Sequence, residues 1–246
     1  MALGNGVLVH GPRSWAAAVR TESGAVKVAA ARKRFPASGV RSPLLRGPAR
    51  IAEAVSLLPL LKRELPEAQL PMARAGVLAS MVGSMVAVHG LRRSSVTPVV
   101  REFATALLSL APAALALRGG ELAEYHGAEH ISIGSYEHGE ARPKEHERCG
   151  SHLVGPMLVT TALGNVAAER FPERYRGPAR AAGAVGAIAA SVEILGWMTR
   201  NPSHPAARAL AFPGHELQHR LGTRDPSPEQ LEVAEAALRA CLELET

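Results

Sequence analysis

The chain contains few cysteines, few aromatic residues and few charged residues for its length. Two of its 246 residues are cysteines, 4% are aromatic and 20% are charged, whereas 47% are hydrophobic. Two cysteines exclude a disulfide-rich scaffold and are typical of a reducing compartment. The hydrophobic fraction excludes a disordered chain. Because aromatic residues are scarce, we expect a core built mainly of alanine, leucine and valine.

The charge of the chain is unevenly distributed. The net charge is +6, but residues 1–74 contain 12 Lys or Arg and four Glu, while residues 119–150 contain three Lys or Arg and seven Glu. The basic segment lacks interleaved aromatic residues for base stacking, and the sequence shows no zinc-finger spacing or RNA-binding motif. We therefore expect no nucleic-acid partner, and we interpret the basic segment as one that lies near a membrane surface.

Four long apolar stretches follow the basic segment. Three are free of charge and cover residues 75–91, 103–117 and 149–168, and the fourth, over residues 181–199, is interrupted by Glu193. A membrane-spanning helix needs about 17–25 apolar residues, so these stretches predict a membrane-embedded helical bundle. Core helices of a soluble, alanine-rich protein are the alternative, which the mean hydropathy of +0.03 favours.

Basic and small residues predict how such a bundle would be placed. The basic N-terminal segment predicts an inner (plasma) membrane location with the N-terminus in the cytoplasm. Arginines in the short connections between the apolar stretches oppose this orientation, so the topology stays open. Small residues four apart, at Gly76 and Ser80 and at Gly183 and Ala187, predict close helix packing and a homo-oligomer contact through these faces.

The overall pattern predicts a mainly α fold, a membrane-associated helical bundle with a small N-terminal β-hairpin unit and a C-terminal amphipathic helix. Alternating residues predict strands at residues 7–9, 15–20 and 25–30. The predicted domains are a β unit at 1–40, a basic linker and amphipathic helix at 41–74, a helical membrane domain at 75–200 that contains the motif segment 119–150, and a helical tail at 201–246.

The C-terminal helix has a clear start signal. Ser227 precedes Pro228 and stands three residues before Gln230, which predicts a capping box with proline at the first helical position. Helical spacing predicts that the apolar face of this helix consists of Leu231, Ala234, Leu238, Cys241 and Leu242. We interpret this helix as a docking element.

Histidines are concentrated in the acidic middle segment, where five of the ten lie between residues 126 and 152. His126 and His130 enclose a His-x-x-Glu-His motif with Glu129. Residues four apart share one face of a helix, so both imidazoles can bind one metal ion. Glu129 lies on nearly the same face and could act as the general base of a hydrolysis. We expect this helix to end at Gly134.

A zinc ion at this motif needs at least one more ligand, and the candidates are His146, Cys149 and Glu193. A cysteine thiolate would favour zinc over magnesium or calcium. Glu193 lies in an apolar stretch, where a carboxylate must be coordinated or paired, so an arginine partner is the alternative. Arg148 could stabilise a developing oxyanion or only balance charge.

A second motif, His-Glu-x-x-His, runs from His215 to His219. It has no cysteine and few acidic residues nearby, so we interpret it as an exposed helix face with incidental spacing.

Several blocks of the chain, in order, resemble the YqhQ family, bacterial proteins of unknown function described as predicted metal-dependent, membrane-associated enzymes. The blocks that carry the resemblance are residues 5–12, 43–47, 125–130, 136–137, 146–151, 191–194, 201–202, 213–214, 217–218 and 223–226. The resemblance implies metal chemistry, and it supplies no established substrate.

These observations lead to one functional hypothesis and one alternative. The hypothesis is a zinc-dependent, membrane-associated hydrolase of unknown substrate, with Glu129 and Arg148 as catalytic residues. The alternative is a non-catalytic membrane scaffold or assembly factor with a structural metal. Four protein ligands would favour the scaffold, and an open coordination position would favour the enzyme.

Overall fold

A computed structural model of the protein describes residues 1–34, 36–117 and 120–246. Phe35, in the predicted β unit, and Gly119, at the start of the predicted motif segment, lie outside the described residues. The chain divides into two compact units. The first contains Met1–Arg32, Leu61–Glu145 and His219–Thr246, and the second contains Lys33–Leu60 and His146–Gln218. The predicted domain boundaries stay a prediction.

The described residues form four strands and eight α-helices, so the predicted mainly helical fold with an N-terminal β unit is confirmed. The strands are β1 Ala2–Leu3, β2 Gly6–His10, β3 Ser14–Arg20 and β4 Val26–Arg32. The helices are α1 Pro43–Glu64, α2 Ala75–Arg92, α3 Pro98–Leu117, α4 Glu121–His138, α5 Val154–Glu169, α6 Glu173–Arg200, α7 Pro205–Leu217 and α8 Pro228–Glu245. Helix α1 begins at Pro43, inside the segment predicted as a linker.

The first unit is built on an antiparallel sheet in the order β1-β2-β3-β4. Three of these strands were predicted, and the added strand β1 pairs with the start of β2. Gly24 lies in the turn between β3 and β4 with φ of 82°, a conformation that glycine adopts without steric cost. Alanines fill the inner face of β3, for example Ala16 and Ala18, which makes that face flat and shallow.

Helix α8 packs on this sheet, and its predicted capping box between Ser227 and Gln230 is present. Its buried face differs in part from the predicted one. Ala234 and Cys241 are buried as predicted, but Val233 and Ala237 are buried as well, whereas the predicted leucines are only partly buried. The flat alanine face of β3 lets the helix approach closely, so small side chains occupy the contact and the leucines lie at its edges.

Helix α4 completes the core of the first unit through Leu122, Tyr125 and Ala128. The predicted end of this helix at Gly134 is wrong. Gly134 is buried within the helix, which continues to His138 and ends at Gly139, a residue with φ of 70°. A left-handed glycine directly after the last turn is a common helix terminator, so Gly139 and not Gly134 supplies the stop signal.

Helices α2 and α3 pack against each other, and their outer ends, at Val77 and Ala116, join the core of the first unit. Between those ends the helices expose many large apolar residues, among them Met85 and Phe103. Helices α2 and α6 are both long and apolar enough to cross a membrane. Only 6% of the residues of α2 are buried. The predicted stretch at residues 149–168 forms α5, whose 16 residues are shorter than the usual span of about 20.

The second unit contains the packed pair α5 and α6. Gly164 and Gly183 face each other where the two helices come closest. The Thr160 hydroxyl lies 3.0 Å from the Ser191 hydroxyl and 3.3 Å from the Ala187 carbonyl oxygen, to which it donates. Gly183 and Ala187, predicted to allow close packing, therefore contact a neighbouring helix of the same chain.

Candidate metal centre

The two histidines of the His-x-x-Glu-His motif lie side by side on α4 in the first unit. Residues 126 and 130 are one helical turn apart, and the centroids of their imidazole rings are 4.2 Å apart with the planes tilted by 58°. His130 is buried and His126 is half-buried. The predicted placement of both rings on one face of a helix is confirmed.

Two backbone carbonyls determine the tautomers of these imidazoles. The Nδ1 atom of His126 lies 2.7 Å from the carbonyl oxygen of Gly222, and Nδ1 of His130 lies 2.6 Å from that of Lys144. A carbonyl oxygen can only accept, so each Nδ1 must carry the hydrogen and donate it. In the neutral ring the lone pair is then on Nε2, the form in which a histidine binds a metal ion.

The sequence keeps these carbonyls in place by close packing against α4. The backbone N–H of Arg224 donates to the carbonyl of Ala123 over 2.9 Å. A Cβ atom at Gly127 would overlap the carbonyl oxygen of Arg224, so only glycine allows this approach. Lys144 is also anchored, because its Nζ lies 3.0 Å from the carboxylate of Asp225. The glycine within the His-x-x-Glu-His motif, Gly127, is therefore required by the close packing of residue 224 against α4.

Glu129 lies between the two histidines in sequence and has a buried carboxylate. One oxygen, Oε1, accepts a hydrogen bond from the amino group of Met1. The other oxygen, Oε2, is buried and has no hydrogen-bond partner among the described residues. Burial by itself raises the pKa of Glu129, but the Met1 ammonium and the imidazoles, when protonated, outweigh it and hold the pKa below its usual value. The carboxyl is thus ionised at neutral pH.

Within the first unit, His126 and His130 bring two imidazoles together as candidate metal ligands. The further ligands predicted from the sequence, His146, Cys149 and Glu193, belong to the second unit. Cys149 is half-buried.

Gln218 organises the loop that carries Cys149, within the second unit. Its side chain is fully buried, and its Oε1 accepts the backbone N–H of His146 at 3.0 Å. Its Nε2 lies 2.7 Å from the Ser151 hydroxyl and 3.0 Å from Nδ1 of His152. Sequence reasoning missed this role. Residues 217–218 belong to the blocks of the family resemblance, and this was the available signal.

The remaining predicted site residues have other surroundings. Arg46 donates two hydrogen bonds to the carboxylate of Glu193, which is the arginine partner named as the alternative to metal binding. Nδ1 of His146 accepts the backbone N–H of Arg148 at 3.2 Å, and the side chain of Arg148 is exposed.

The second histidine motif does not form a metal group in the described residues. His215 is exposed, and Nδ1 of His219 lies 3.1 Å from the carboxylate of Glu145. Helix α7 ends at Leu217, and a π-helical turn over Gln218–Gly222 follows, so the two histidines do not lie on one regular helix.

The fold and the site together define a class, a mainly helical protein whose sheet-bearing unit holds a paired-histidine helix beside a buried carboxylate. The chain belongs to the DUF1385 family, described as a protein of unknown function, whose sequence pattern matches residues 120–244. The matched part begins directly before α4 and includes Gln218 and most of α8. Neither the curated proteins nor the solved structures contain a match to the chain.

Proposed function

We propose that the protein is a zinc-dependent hydrolase associated with a membrane. The observation that carries this proposal is the pair of imidazoles, His126 and His130, whose Nδ1 atoms both lie beside a backbone carbonyl oxygen, so that each ring in its neutral form carries its lone pair on Nε2. Side chains of a solvated histidine-rich loop would have no such fixed tautomers. Hydrogen bonds from the second nitrogen to a carbonyl are typical of histidine ligands.

The chemistry of the donor set supports zinc. The two imidazoles of His126 and His130 are ligands that zinc accepts, whereas magnesium and calcium need oxygen. Cys149, the further ligand predicted from the sequence, would supply a thiolate, which also favours zinc. When bound, a zinc ion polarises the scissile group and lowers the pKa of a coordinated water to about 7.

Residues of the chain itself supply orientation and proton transfer in this proposal. The carbonyls of Gly222 and Lys144 hold the two rings in position. Glu129 holds, on its carboxylate, the proton that an attacking water gives up, and its lowered pKa keeps it ready to accept that proton at neutral pH. Arg148 is exposed and is proposed as a positive group for the developing oxyanion or for charge balance.

The proposed location is the inner membrane, with the N-terminus in the cytoplasm. Helices α2 and α6 support a membrane location by their length and apolar composition, and α2 buries few of its residues within the chain. The basic excess of residues 1–74 supports the orientation.

Glu129→Gln tests the catalytic part of the proposal. The full chain is purified in detergent, and zinc content and zinc-dependent hydrolysis of p-nitrophenyl acetate and p-nitrophenyl phosphate are measured. We expect the variant to keep its zinc and to lose hydrolysis by about 100-fold or more, the usual contribution of a general base. The matched control Glu137→Gln, on the same helix, should hydrolyse like the unmodified protein.

Two outcomes contradict the enzyme. Zinc binding without hydrolysis of either probe would support the scaffold with a structural metal. Hydrolysis that Glu129→Gln leaves unchanged would remove Glu129 from the reaction.

A further inference from the structure

An apolar groove lies at the end of the α5–α6 pair, within the second unit. It has a volume of about 730 Å³ and is lined almost entirely by apolar atoms. The groove begins at Gly164 and Gly183 and extends to the turn that joins the two helices, at Phe171 and Pro172. Phe171 is exposed, so the groove is open to the surroundings of the hairpin.

The groove follows from the sizes of the residues that form it. Gly164 and Gly183 bring the two helix backbones close together, as small residues do in membrane helix pairs. Towards the turn the helices separate, and the residues there are mostly alanines, including Ala167 and Ala182. Alanine side chains are too short to fill the widening space, so a gap with apolar walls remains.

The rim of the groove is basic. Residues 169–180 contain four arginines and two glutamates. Arg176 and Arg180 pair with Glu169. Arg174 lies over the ring of Tyr175, a residue that lines the groove, with its guanidinium carbon 4.7 Å from the ring centroid. Within the described residues, neither Arg170 nor Arg174 has a carboxylate partner.

We propose that this groove binds an acyl chain of an anionic phospholipid, whose phosphate lies against Arg170 and Arg174. Most backbone groups of the two helix walls are hydrogen-bonded within the helices, so the walls suit an occupant without polar groups and would leave many of those of an extended peptide unsatisfied. Arginine binds phosphate through several N–H donors. Aromatic residues such as Tyr175 beside arginines are typical of the interface of a bilayer.

This proposal rests on the membrane location proposed above and not on the metal chemistry. It assigns a lipid class to the second unit, whereas the candidate metal ligands His126 and His130 belong to the first. The membrane location and the lipid-binding groove can fail independently, because recovery of the chain in the membrane fraction is measured separately from lipid binding.

Native mass spectrometry of the full chain in detergent tests the proposal. Phosphatidylglycerol and phosphatidylcholine with identical acyl chains are added separately, and bound lipid is counted. We expect phosphatidylglycerol to bind about tenfold more tightly than phosphatidylcholine, because the choline cation of phosphatidylcholine neutralises its headgroup and is repelled by the arginines. Glycerophosphoglycerol, the same headgroup without acyl chains, should not compete.

Two pairs of variants separate the groove from its rim. Ala182→Phe and, independently, Ala167→Phe fill the groove and should reduce binding of both lipids by about tenfold or more. The matched control Ala181→Phe, next to the groove but not in its lining, should bind like the unmodified protein. The double change Arg170→Gln and Arg174→Gln should abolish the preference for phosphatidylglycerol. The control Arg92→Gln and Arg93→Gln, at the C-terminal end of α2, should keep it.

Several results would overturn the proposal. Lipid binding that both groove-filling variants leave unchanged would remove the groove from it. Competition by glycerophosphoglycerol would show that the arginines bind a free phosphate ester. Dimeric chains in place of lipid-bound ones would show that a second copy covers the groove. If Ala182→Phe loses lipid binding but stays in the membrane fraction, the membrane location stands independently of the groove.

Discussion

At the scale of single residues, backbone atoms determine how the candidate metal site is arranged. The carbonyl oxygens of Gly222 and Lys144 determine which imidazole nitrogen of His126 and His130 can bind a metal ion. Gly127 lets the backbone at Arg224 approach α4. The spacing of the two histidines is visible in the sequence. The backbone carbonyls that contact them are not, because they lie 96 and 14 positions further along the chain and only folding brings them close to the imidazoles.

The first prediction concerns Gly127. Gly127→Ala places a methyl group where the carbonyl oxygen of Arg224 lies, so the segment must move away from α4. We expect a loss of about 1–3 kcal/mol in the free energy of unfolding, as for other overpacked sites, together with weaker zinc binding. Gly83→Ala is the control, because no atom lies near its added methyl group. Equal stability of the two variants, measured by urea denaturation, would contradict the close approach.

A second residue-scale prediction concerns the carboxylate of Glu245. It accepts the backbone N–H groups of Ser14 at 2.7 Å and Arg13 at 2.9 Å, and the Ser14 hydroxyl. The hydrogen bond from the Ser14 side chain is the main reason that the pKa of Glu245 falls from 4.5 to about 2. Because the folded pKa is the lower one, this stabilisation is complete above about pH 4.5 and is lost as the pH falls towards 2.

Glu245→Gln should therefore lower the free energy of unfolding by about 1–2 kcal/mol at neutral pH. The difference from the unmodified protein should shrink as the solution is acidified, because protonation of Glu245 removes from the unmodified protein the charge that the variant already lacks. Glu243→Gln, two residues earlier in α8, serves as the control and should change the stability little. A difference that grows in acid would show that the sign of the linkage is wrong.

At the scale of secondary-structure elements, the side-chain amide of Gln218 connects several groups of the segment from His146 to His152. Gln218 satisfies groups of His146, Ser151 and His152 from the π-helical turn after α7. Sequence patterns predict helices and caps well, as the capping box of α8 shows. They do not predict such a hub, because a lone glutamine has no periodicity. The buried face of α8 was only partly predicted for a related reason, since the shape of the sheet decides which residues fit.

Gln218→Met tests the role of this hub. The variant keeps the length of the side chain but removes the acceptor of the His146 N–H and the donor to the Ser151 hydroxyl, both half-buried, which costs up to about 1–3 kcal/mol each. We expect lower stability and about 10–100-fold weaker zinc binding, because Gln218 positions the loop that carries Cys149. The control Gln69→Met changes an exposed glutamine. Loss of stability with unchanged zinc affinity would make Gln218 a structural residue only.

At the scale of the whole molecule, the composition predicted the class of fold but did not show whether the apolar helices face lipid or water. The mean hydropathy of the whole chain, +0.03, suits either, and the net charge of +6 combines a basic first segment with an acidic one around the metal motif. The structure adds the exposure of α2. An apolar helix that buries few of its residues in its own chain needs another apolar surrounding.

Val82→Lys tests that surrounding. Val82 lies near the middle of α2 and is 61% exposed. In a bilayer the lysine costs about 2.5–3.5 kcal/mol, whereas in water it costs little. We expect the variant to be depleted from the membrane fraction. The control Val28→Lys, on β4, should fractionate like the unmodified protein. Recovery of the unmodified chain in the soluble fraction without detergent would contradict the membrane location.

The central claim is that His126 and His130 bind a zinc ion through nitrogen atoms fixed by Gly222 and Lys144. Metal content of the purified full chain, measured by elemental analysis, tests it most directly. We predict about one zinc ion per chain in the unmodified protein and in the control His215→Ala, taken from the second motif. His126→Ala and His130→Ala should lose the zinc while keeping their helical circular dichroism. Zinc absent from the unmodified protein, or present equally in all four proteins, would contradict the claim.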